Sequence, residues 1–354
     1  MNTKKGWNQE LMLSLFKKES AYNAGVSMIN ANACSMSGFE AEEAWEDKVE
    51  NDKAEVTGKE HGYDQEIIQQ GLKLAYKEPK AKPNSVAALA ALVMGSVVST
   101  QDGALTAYKH KITPVAVGTA LPSIQAEMKK GGIQYAYKGI KGNTIKIAGE
   151  AGGVVSLESE ILGSGTRAIS ATSFANKIIE SWLKLSNCKV WMEDGSNISI
   201  SAALVQDAED VSSATPADLK VRLKSFEWGW DNKLEGQPGF GGAGVFQDID
   251  YGRRAANLKF TMLFSDDTEL NHFINQNPLA IEFDMKGALI AVTGAMYYGF
   301  QLIIPRFKLK SAPLAKGGVN DILTVEMDCE VFDDGTNSAS ILEVYNAQAA
   351  YLTA

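Results

Sequence analysis

The 354-residue chain is poor in the side chains from which most active sites are built. It has 3 cysteines and 3 histidines. Cys34, Cys188 and Cys329 are odd in number and far apart, so they form no disulfide framework and fit a reducing compartment. His61, His110 and His272 lie far from one another and from any cysteine, which excludes a zinc-like spacing. No apolar run approaches the ~20 residues that cross a bilayer. Near the N-terminus, Leu11–Phe16 is too short for a signal-peptide core and runs straight into Lys17 and Lys18, so a soluble protein without an address label is expected. Basic charge is in deficit, with a formal net charge of −9, and such a chain gains nothing from the phosphate attraction behind stable nucleic-acid binding. The strings G-x-S-x-G, G-K-[ST] and C-x-x-C are absent.

What remains is ordinary globular composition, 45% hydrophobic and 22% charged, which argues against disorder. The length allows roughly two domains of about 150 residues. An internal repeat agrees with that. Phe39-Glu40 is matched by Phe226-Glu227, Trp45 and Lys48 by Trp230 and Lys233, and Leu72-Lys73-Leu74 by Leu258-Lys259-Phe260, at offsets of about 186 residues. Gly152-Gly153-Val154 is matched by Gly317-Gly318-Val319 at a shorter offset, which places an extra segment in the first half near Ser96–Leu121.

The patterning is mainly that of strands. Leu323, Val325, Met327, Cys329 and Val331 alternate with Thr324, Glu326, Asp328 and Glu330, the period of a strand with one buried face. Val155, Leu157 and Ile161 against Ser156, Glu158 and Glu160 repeat it in the first half. Upstream strands carry the opposite sign, on Arg306, Lys308 and Lys310 and on Lys138, Lys141 and Lys146, so acidic and basic strands set side by side gain cross-strand pairing. Each half has one short helix. The first follows strand Leu72–Tyr76, is capped by Ser85, runs through the Ala-rich Val86–Met94 and stops at Gly95. The second follows strand Leu258–Phe264, starts after Asp266-Asp267-Thr268 and ends by Asn277-Pro278. Phe174, Ile178 and Trp182 at spacing four predict an amphipathic helix over Ser173–Leu185, and Asp207–Asp218 reads as an exposed loop. Charged Glu40–Glu55 and Gly-rich Gly236–Gly244 read as long hairpin tips.

The fold expected is mainly β, two tandem β-sandwich units each with a flanking short helix. An N-terminal arm takes 1–20, the first unit 21–165, a helical and loop connector 166–220, the second unit 221–335 and a C-terminal arm 336–354.

Candidate chemistry fails on context. Gly239–Gly244 fits G-x-G-x-x-G, but Glu235, Gly236 and Pro238 precede it and Val245–Asp248 reads as strand, whereas a dinucleotide site needs a strand before and a helix after. The acidic run Glu42, Glu43, Glu46, Asp47, Glu50 and Asp52 lacks the order of a calcium loop and is interrupted by Lys48. Glu158, Glu160, Glu326, Asp328 and Glu330 lie on repeated strand faces beside lysines, not as a pair in contrasting environments, so an ion-paired or field-generating surface is expected rather than acid–base catalysis. His110 has no linked nucleophile and reads as structural. No catalytic, cofactor or metal site is expected.

Several segments then resemble the tail tube proteins of long-tailed bacteriophages: Phe16–Gly25, with Asn23-Ala24 departing from the simplest form of that opening, Val56–Gly58, Leu72–Tyr76, the helix ending Leu92–Gly95, Leu121–Ile124, Tyr137–Ile140 and Ile303–Arg306. The likeness is diffuse and runs from about Phe16 to Phe332. It implies a non-enzymatic virion protein whose sheets join those of neighbouring subunits into rings. The rings stack into a hollow tail tube, with the tape measure, terminator and baseplate as partners at its ends. Assembly in the host cytoplasm, no membrane and no cofactor follow from the same likeness. Two such folds per chain imply three chains in a pseudo-hexameric ring, and six chains with one fold each is the competing geometry. DNA is implied only as transient cargo, which a negative wall leaves mobile, and Glu158, Glu160, Glu326, Asp328 and Glu330 are the candidates for that wall. Glu43, Trp45, Glu46, Asp47, Lys48, Trp230 and Lys233 are the candidates for ring stacking, together with the arms 1–20 and 331–354. A tail terminator, neck or baseplate hub protein of the same fold is the alternative. A β-rich carbohydrate-binding or adhesin module fits less well, because the 6 tryptophans are scattered.

Overall fold

A computed structural model describes residues 9–36, 40–51, 65–103, 106–174, 177–194, 217–218, 222–240, 244–265, 267–290, 296–317 and 322–354. The first half contains β1 (Gln9–Leu13), β2 (Cys34–Ser35), β3 (Glu40–Trp45), β4 (Lys48–Asn51), β5 (Gln65–Gln69) and β6 (Leu72–Glu78). Helix α1 (Pro83–Met94) follows, then β7 (Gly95–Gln101), β8 (Tyr108–Pro114), β9 (Ile124–Lys130), β10 (Ile133–Glu150) and β11 (Ser156–Gly163). Next come β12 (Arg167–Ile169), β13 (Cys188–Asp194) and β14 (Ala217–Asp218). The second half contains β15 (Leu223–Asp231), β16 (Leu234–Pro238), β17 (Phe246–Tyr251), β18 (Ala255–Leu263) and α2 (Thr268–Ile274). The chain ends with β19 (Leu279–Leu289), β20 (Tyr297–Leu309), β21 (Thr324–Val331) and β22 (Ile341–Asn346).

The fold is mainly β, as the alternation predicts. In β21, Val325, Met327 and Cys329 are buried while Glu326 and Glu330 are exposed. Eighteen of the strands are linked by hydrogen-bonded pairings into one continuous sheet system, and β4–β5 and β16–β17 form separate two-stranded hairpins. The halves are not separate sheet systems. β10 pairs antiparallel with β15, β13 with β19, and β22 with β8, so strands from both halves share one sheet system.

Two long strands turn the corners. The N-terminal part of β10 pairs with β9 and β12, and its C-terminal part with β11 and β15. Register shifts at Tyr137/Ile140 and Gly142/Thr144 bend it between these partners. β20 does the same: Gly299–Ile303 pairs with β22 and Phe307–Leu309 with β21. Pro305 sits where the partner changes, a position at which a missing N–H costs no ladder bond.

Helix α1 fills the space between the sheets. Every residue but Asn84 is buried, so it is apolar all round, as a core helix must be. Each of its leucines and valines contributes about 1.5–3 kcal/mol by burial. Gly95 ends it in the left-handed region at φ 86°, as expected of a C-terminal glycine. Its N-terminus differs from the expectation. Ser85 is fully buried and caps nothing; the Asn84 N–H donates instead to the Glu180 carboxylate at 2.8 Å.

Three further expectations are corrected. Ser173–Leu185 forms no α-helix in its described residues; only Leu185 enters a helical turn, the short 3-10 turn Leu185–Asn187. Ile178 N–H donates to Ser35 O, Leu183 N–H to Ala81 O, and Val155 N–H to Leu183 O. Pairing with existing strand edges outcompetes helical periodicity, and Ile179 is left 91% exposed. In the predicted arm 1–20 the described residues 9–20 are not free, since β1 pairs with β2 and β9 and buries Leu11, Met12 and Leu13. Nor is 336–354, since β22 is buried throughout between β20 and β8. Residues 1–8, 52–55 and 207–216 of the predicted arm, hairpin and loop lie outside the described residues.

Candidate assembly surface

The strands β3, β6, β11, β10, β15, β18, β21 and β20 are hydrogen-bonded neighbours in that order. Period-two alternation turns one side of this sheet to the core and the other to solvent. On the solvent side the charge changes sign from strand to strand. Glu40 of β3 lies opposite Lys77 of β6, Lys77 opposite Glu158 of β11, and Glu158 opposite Lys146 of β10. Lys146 forms an ion pair with Glu227 of β15 at 2.8 Å. Glu227 lies opposite Lys259 of β18, and Lys259 opposite Asp328 of β21. Lys310, just past β20, reaches Asp328 at 3.7 Å.

The five acids predicted for a negative wall all lie on strands of this sheet, and each has a lysine beside it. Glu158 is flanked by Lys77 and Lys146. Glu160 pairs with Lys73 at 2.6 Å and accepts from Asn143 Nδ2 at 2.9 Å. Glu326 pairs with Lys316 at 2.7 Å, which holds its carboxyl below the usual range. Asp328 meets Lys259 and Lys310, and Glu330 lies opposite Lys308. The face is therefore charge-balanced, not a continuous acidic field. These pairs are partly or largely exposed, so solvent screens them and they add little to the stability of the fold. Of the predicted basic residues, Lys141 does not share the face: it is buried and bonds Asp248 at 2.6 Å.

The residues predicted to stack rings divide differently. Glu43 and Trp45 belong to β3 of the main sheet, not to a hairpin tip. Tyr137 Oη donates to Glu43 Oε2 at 2.6 Å and accepts from Trp45 Nε1 at 3.3 Å. The Arg167 guanidinium lies 3.9 Å from the Trp45 ring centre and forks onto Asp47 at 3.1 and 2.8 Å. Those bonds lower the Asp47 pKa and raise that of Arg167. Trp230 is buried in β15 and donates to Asn232. Lys233 occupies a turn at φ 52° and pairs with Asp231. Glu46 is exposed in the turn after β3, and only Lys48 lies on a hairpin, β4–β5. The Trp45 match also shifts. Trp45 lies opposite Leu72 and Trp228 opposite Leu258, so Trp228, not Trp230, holds the corresponding place.

Residues that sequence reasoning missed organise this region. Asn232 is fully buried; its Nδ2 donates to Val93 O at 2.6 Å and Gly142 O at 2.8 Å, and its Oδ1 accepts from Trp230 Nε1 at 2.9 Å. It ties α1, β10 and β15 together, and nothing in its sequence neighbourhood marks it. Arg167 and Tyr137 were equally silent. Among the described residues no group of three or more metal-ligating side chains converges.

The family model described as phage tail tube protein matches residues 78–331, which reaches into both halves and includes β11, β10, β15, β18, β21 and β20 of the charged face. The chain belongs to the phage tail tube protein family. No curated protein matches it. Membership makes it a structural component of the virion tail that self-assembles into a tube with other tail proteins, and the family is not known for enzymatic activity. No helix among the described residues is long and apolar enough to cross a membrane.

Proposed function

We propose that this tail tube protein polymerises as stacked rings into the hollow conduit through which DNA passes to the host. The family match over residues 78–331 carries this reading. We further propose that each chain holds two tube-type repeats, so that three chains make a six-fold pseudo-symmetric ring. Matching topology supports the duplication. β3–β6–β11–β10–β9, with α1 between β6 and β9, runs in the same order as β15–β18–β21–β20–β19, with α2 between β18 and β19. β7–β8 is the one hairpin of the first half with no counterpart between α2 and β19, and it falls where the shortened sequence offset puts an insertion.

In this reading the charged face lines the bore, with Glu158, Glu160, Glu326, Asp328 and Glu330 on its wall. Phosphate binding strengthens with each unneutralised lysine it meets. Here each lysine column is bordered by carboxylates, so the wall offers DNA little net attraction and leaves it mobile. Balance, not excess negative charge, is the working property. The exposed hairpins β4–β5 and β16–β17 are the ring-stacking elements, with Phe240 fully exposed where β16–β17 turns.

Electron microscopy of negatively stained purified protein tests the conduit. Long hollow tubes are the expected result. A persistent monomer overturns it, and single rings that never stack would assign a terminator-like part. Native mass spectrometry of rings tests the count: three chains per ring supports the duplication, and six overturns the pseudo-hexamer.

A further inference from the structure

The seam between the two halves has a counterpart left open at the two ends of the sheet. Inside the chain, the C-terminal part of β10 is paired on both sides, with β11 and with β15. In the second half, the stretch that follows β20 runs beside β21: Lys310 N–H donates to Asp328 O, and Lys316 and Thr324 exchange backbone bonds at 2.8 and 3.0 Å. Among the described residues, 310–317 has no strand on its other side. At the far end of the sheet, β3 pairs with β6 alone among the described residues, whereas β15 pairs with both β18 and β10. Each open edge is thus the counterpart of one partner in the β10–β15 seam.

The edges are also opposite in charge. β3 presents Glu40 and Glu42, with Glu46 just beyond, while the 310–317 edge presents Lys310 and Lys316. Joining unlike edges continues the alternation across the boundary. Joining two β3 edges would set glutamates against glutamates, and joining two 310–317 edges would set lysines together; like charges directly opposite are destabilising.

We infer that residues 310–317 of one chain pair antiparallel with β3 of the next, reproducing between chains the β10–β15 seam within a chain. The inference rests on the tube reading and deepens it by naming the edges and their register. The register follows from the internal seam. Lys146 lies opposite Glu158, two places from Glu160 towards β10's C-terminal end, and opposite Gly229 across the seam. Ile161 pairs with Leu74 and Met327 with Phe260, which makes Thr324 the counterpart of Glu158 and Lys316 the counterpart of Lys146. Gly229 pairs with Asn257, next to Leu258, and the Glu46 N–H donates to Gly71 O, next to Leu72, which makes Glu46 the counterpart of Gly229. Lys316 therefore faces Glu46 of the neighbouring chain. The interface is head-to-tail, the kind that makes a ring when the rotation between successive chains closes.

The test is a Lys316→Cys, Glu46→Cys double variant, oxidised as assembled tubes and run on a non-reducing gel. Opposed residues of an antiparallel pair have Cα atoms about 4.5–5.5 Å apart, within disulfide reach. Both positions are exposed, so folding is retained; Cys34 and Cys329 are buried, and oxidised wild-type tubes serve as the control for Cys188. A covalent ladder extending past dimer in the double variant, absent from each single variant and from wild type, supports the seam. A ladder ending at dimer overturns head-to-tail pairing. If the double variant does not polymerise, wild-type tubes assembled from mixed 14N and 15N chains are treated with a zero-length carbodiimide. A mixed-isotope Lys316–Glu46 peptide supports the seam. Wild-type tubes that give neither link overturn the seam and leave the tube reading standing, whereas wild-type protein that makes no tubes removes both.

Discussion

Replacing Asn232 by alanine should cost the fold about 3–5 kcal/mol. The side chain is fully buried and makes three short bonds: to Val93 O at the end of α1, to Gly142 O at the bend of β10, and from Trp230 Nε1 in β15. Each satisfied bond contributes about 1 kcal/mol net, and each buried group left without a partner costs about 1–3 kcal/mol. Alanine removes all three bonds at once. Relaxation of the site and entry of water offset part of the loss, which sets the lower bound. Asn232→Asp is the sharper test. It keeps the acceptor for Trp230 but turns a carboxylate towards two carbonyl oxygens, so it should lose at least as much despite its near-identical shape. The assay is urea unfolding of unassembled protein followed by tryptophan fluorescence, because Trp228 and Trp230 are buried in β15 at this junction. A midpoint shift at constant slope reports lost stability. One transition is expected for both variants, since β10 and β15 belong to one sheet. An Asn232→Ala protein within about 1 kcal/mol of wild type would refute the claim that this residue ties the halves together, and one that unfolds in two separate steps with wild type in one would refute the claim that the β10–β15 pairing alone keeps them one cooperative unit.

Other substitutions test other joints. Gly142→Ala places a Cβ 2.8 Å from Val93 Cα and 2.9 Å from Val93 N, backbone that cannot swing aside, so urea denaturation should show a loss of about 1–3 kcal/mol. Arg167→Ala leaves Asp47 without its fork and uncovers Trp45; a loss of about 2–3 kcal/mol is expected, with Arg167→Lys recovering only part, and a double-mutant cycle with Asp47→Asn should return most of it as coupling. His110 is fully buried between Ser99 and Asn346, and burial lowers its pKa from 6.5 to about 4. The unfolded chain therefore binds the proton first, so stability is full above pH 6.5 and falls by about 3 kcal/mol as pH drops towards 4; His110→Gln should flatten that part of the stability–pH curve measured by urea midpoints. Changing Glu158, Glu160, Glu326, Asp328 and Glu330 together to glutamine uncovers the lysine columns, and the variant should bind double-stranded DNA in filter-binding assays with a steep salt dependence where wild type binds weakly.

What the sequence made legible was local. The alternation of Leu323–Val331 and Val155–Ile161 became β21 and β11, with acidic strands beside basic ones, and Gly95 ended α1. Only the first position failed there: Leu323 lies outside the strand and stays exposed. What it concealed was decided by partners far away in the chain. Ser173–Leu185 has helical spacing, yet its backbone is claimed by Ser35, Ala81 and Val155. Residues 9–13 and 341–346 read as arms because a terminal strand earns its place from neighbours more than a hundred residues distant (Met12 opposite Glu127, Leu342 opposite Ile112). Glu282, Glu343 and Lys109 read as surface residues by type, but both faces of their strands are covered. Gln301 Nε2 donates to Glu282 and Lys109 pairs with Glu343 at 2.5 Å inside the protein. Burial of a charge is set by what lies over it, and no pattern within one strand reports that. The candidate face was half legible: the acids and lysines were visible, while their one-to-one bordering depends on the register of seven strand pairs.

Two repeats in one chain would change the assembly problem, not only the subunit count. In the proposed ring every second seam is the β10–β15 pairing, already made when the chain folds. Only the joints between 310–317 and β3 must form by association, so a three-chain ring loses the translational and rotational freedom of fewer bodies than a six-chain ring of single repeats. The covalent seam also removes a choice. A free single repeat presents one acidic and one basic edge to every other copy, whereas here half of the edges are already sealed in the correct order. The repeats are then free to diverge on surfaces outside the seams. The β7–β8 hairpin pairs with β22, and β22 pairs with β20. In the proposed ring that addition would occur once per chain, so the bore would retain an approximate six-fold pattern of alternating charge while the β7–β8–β22 layer repeated three times.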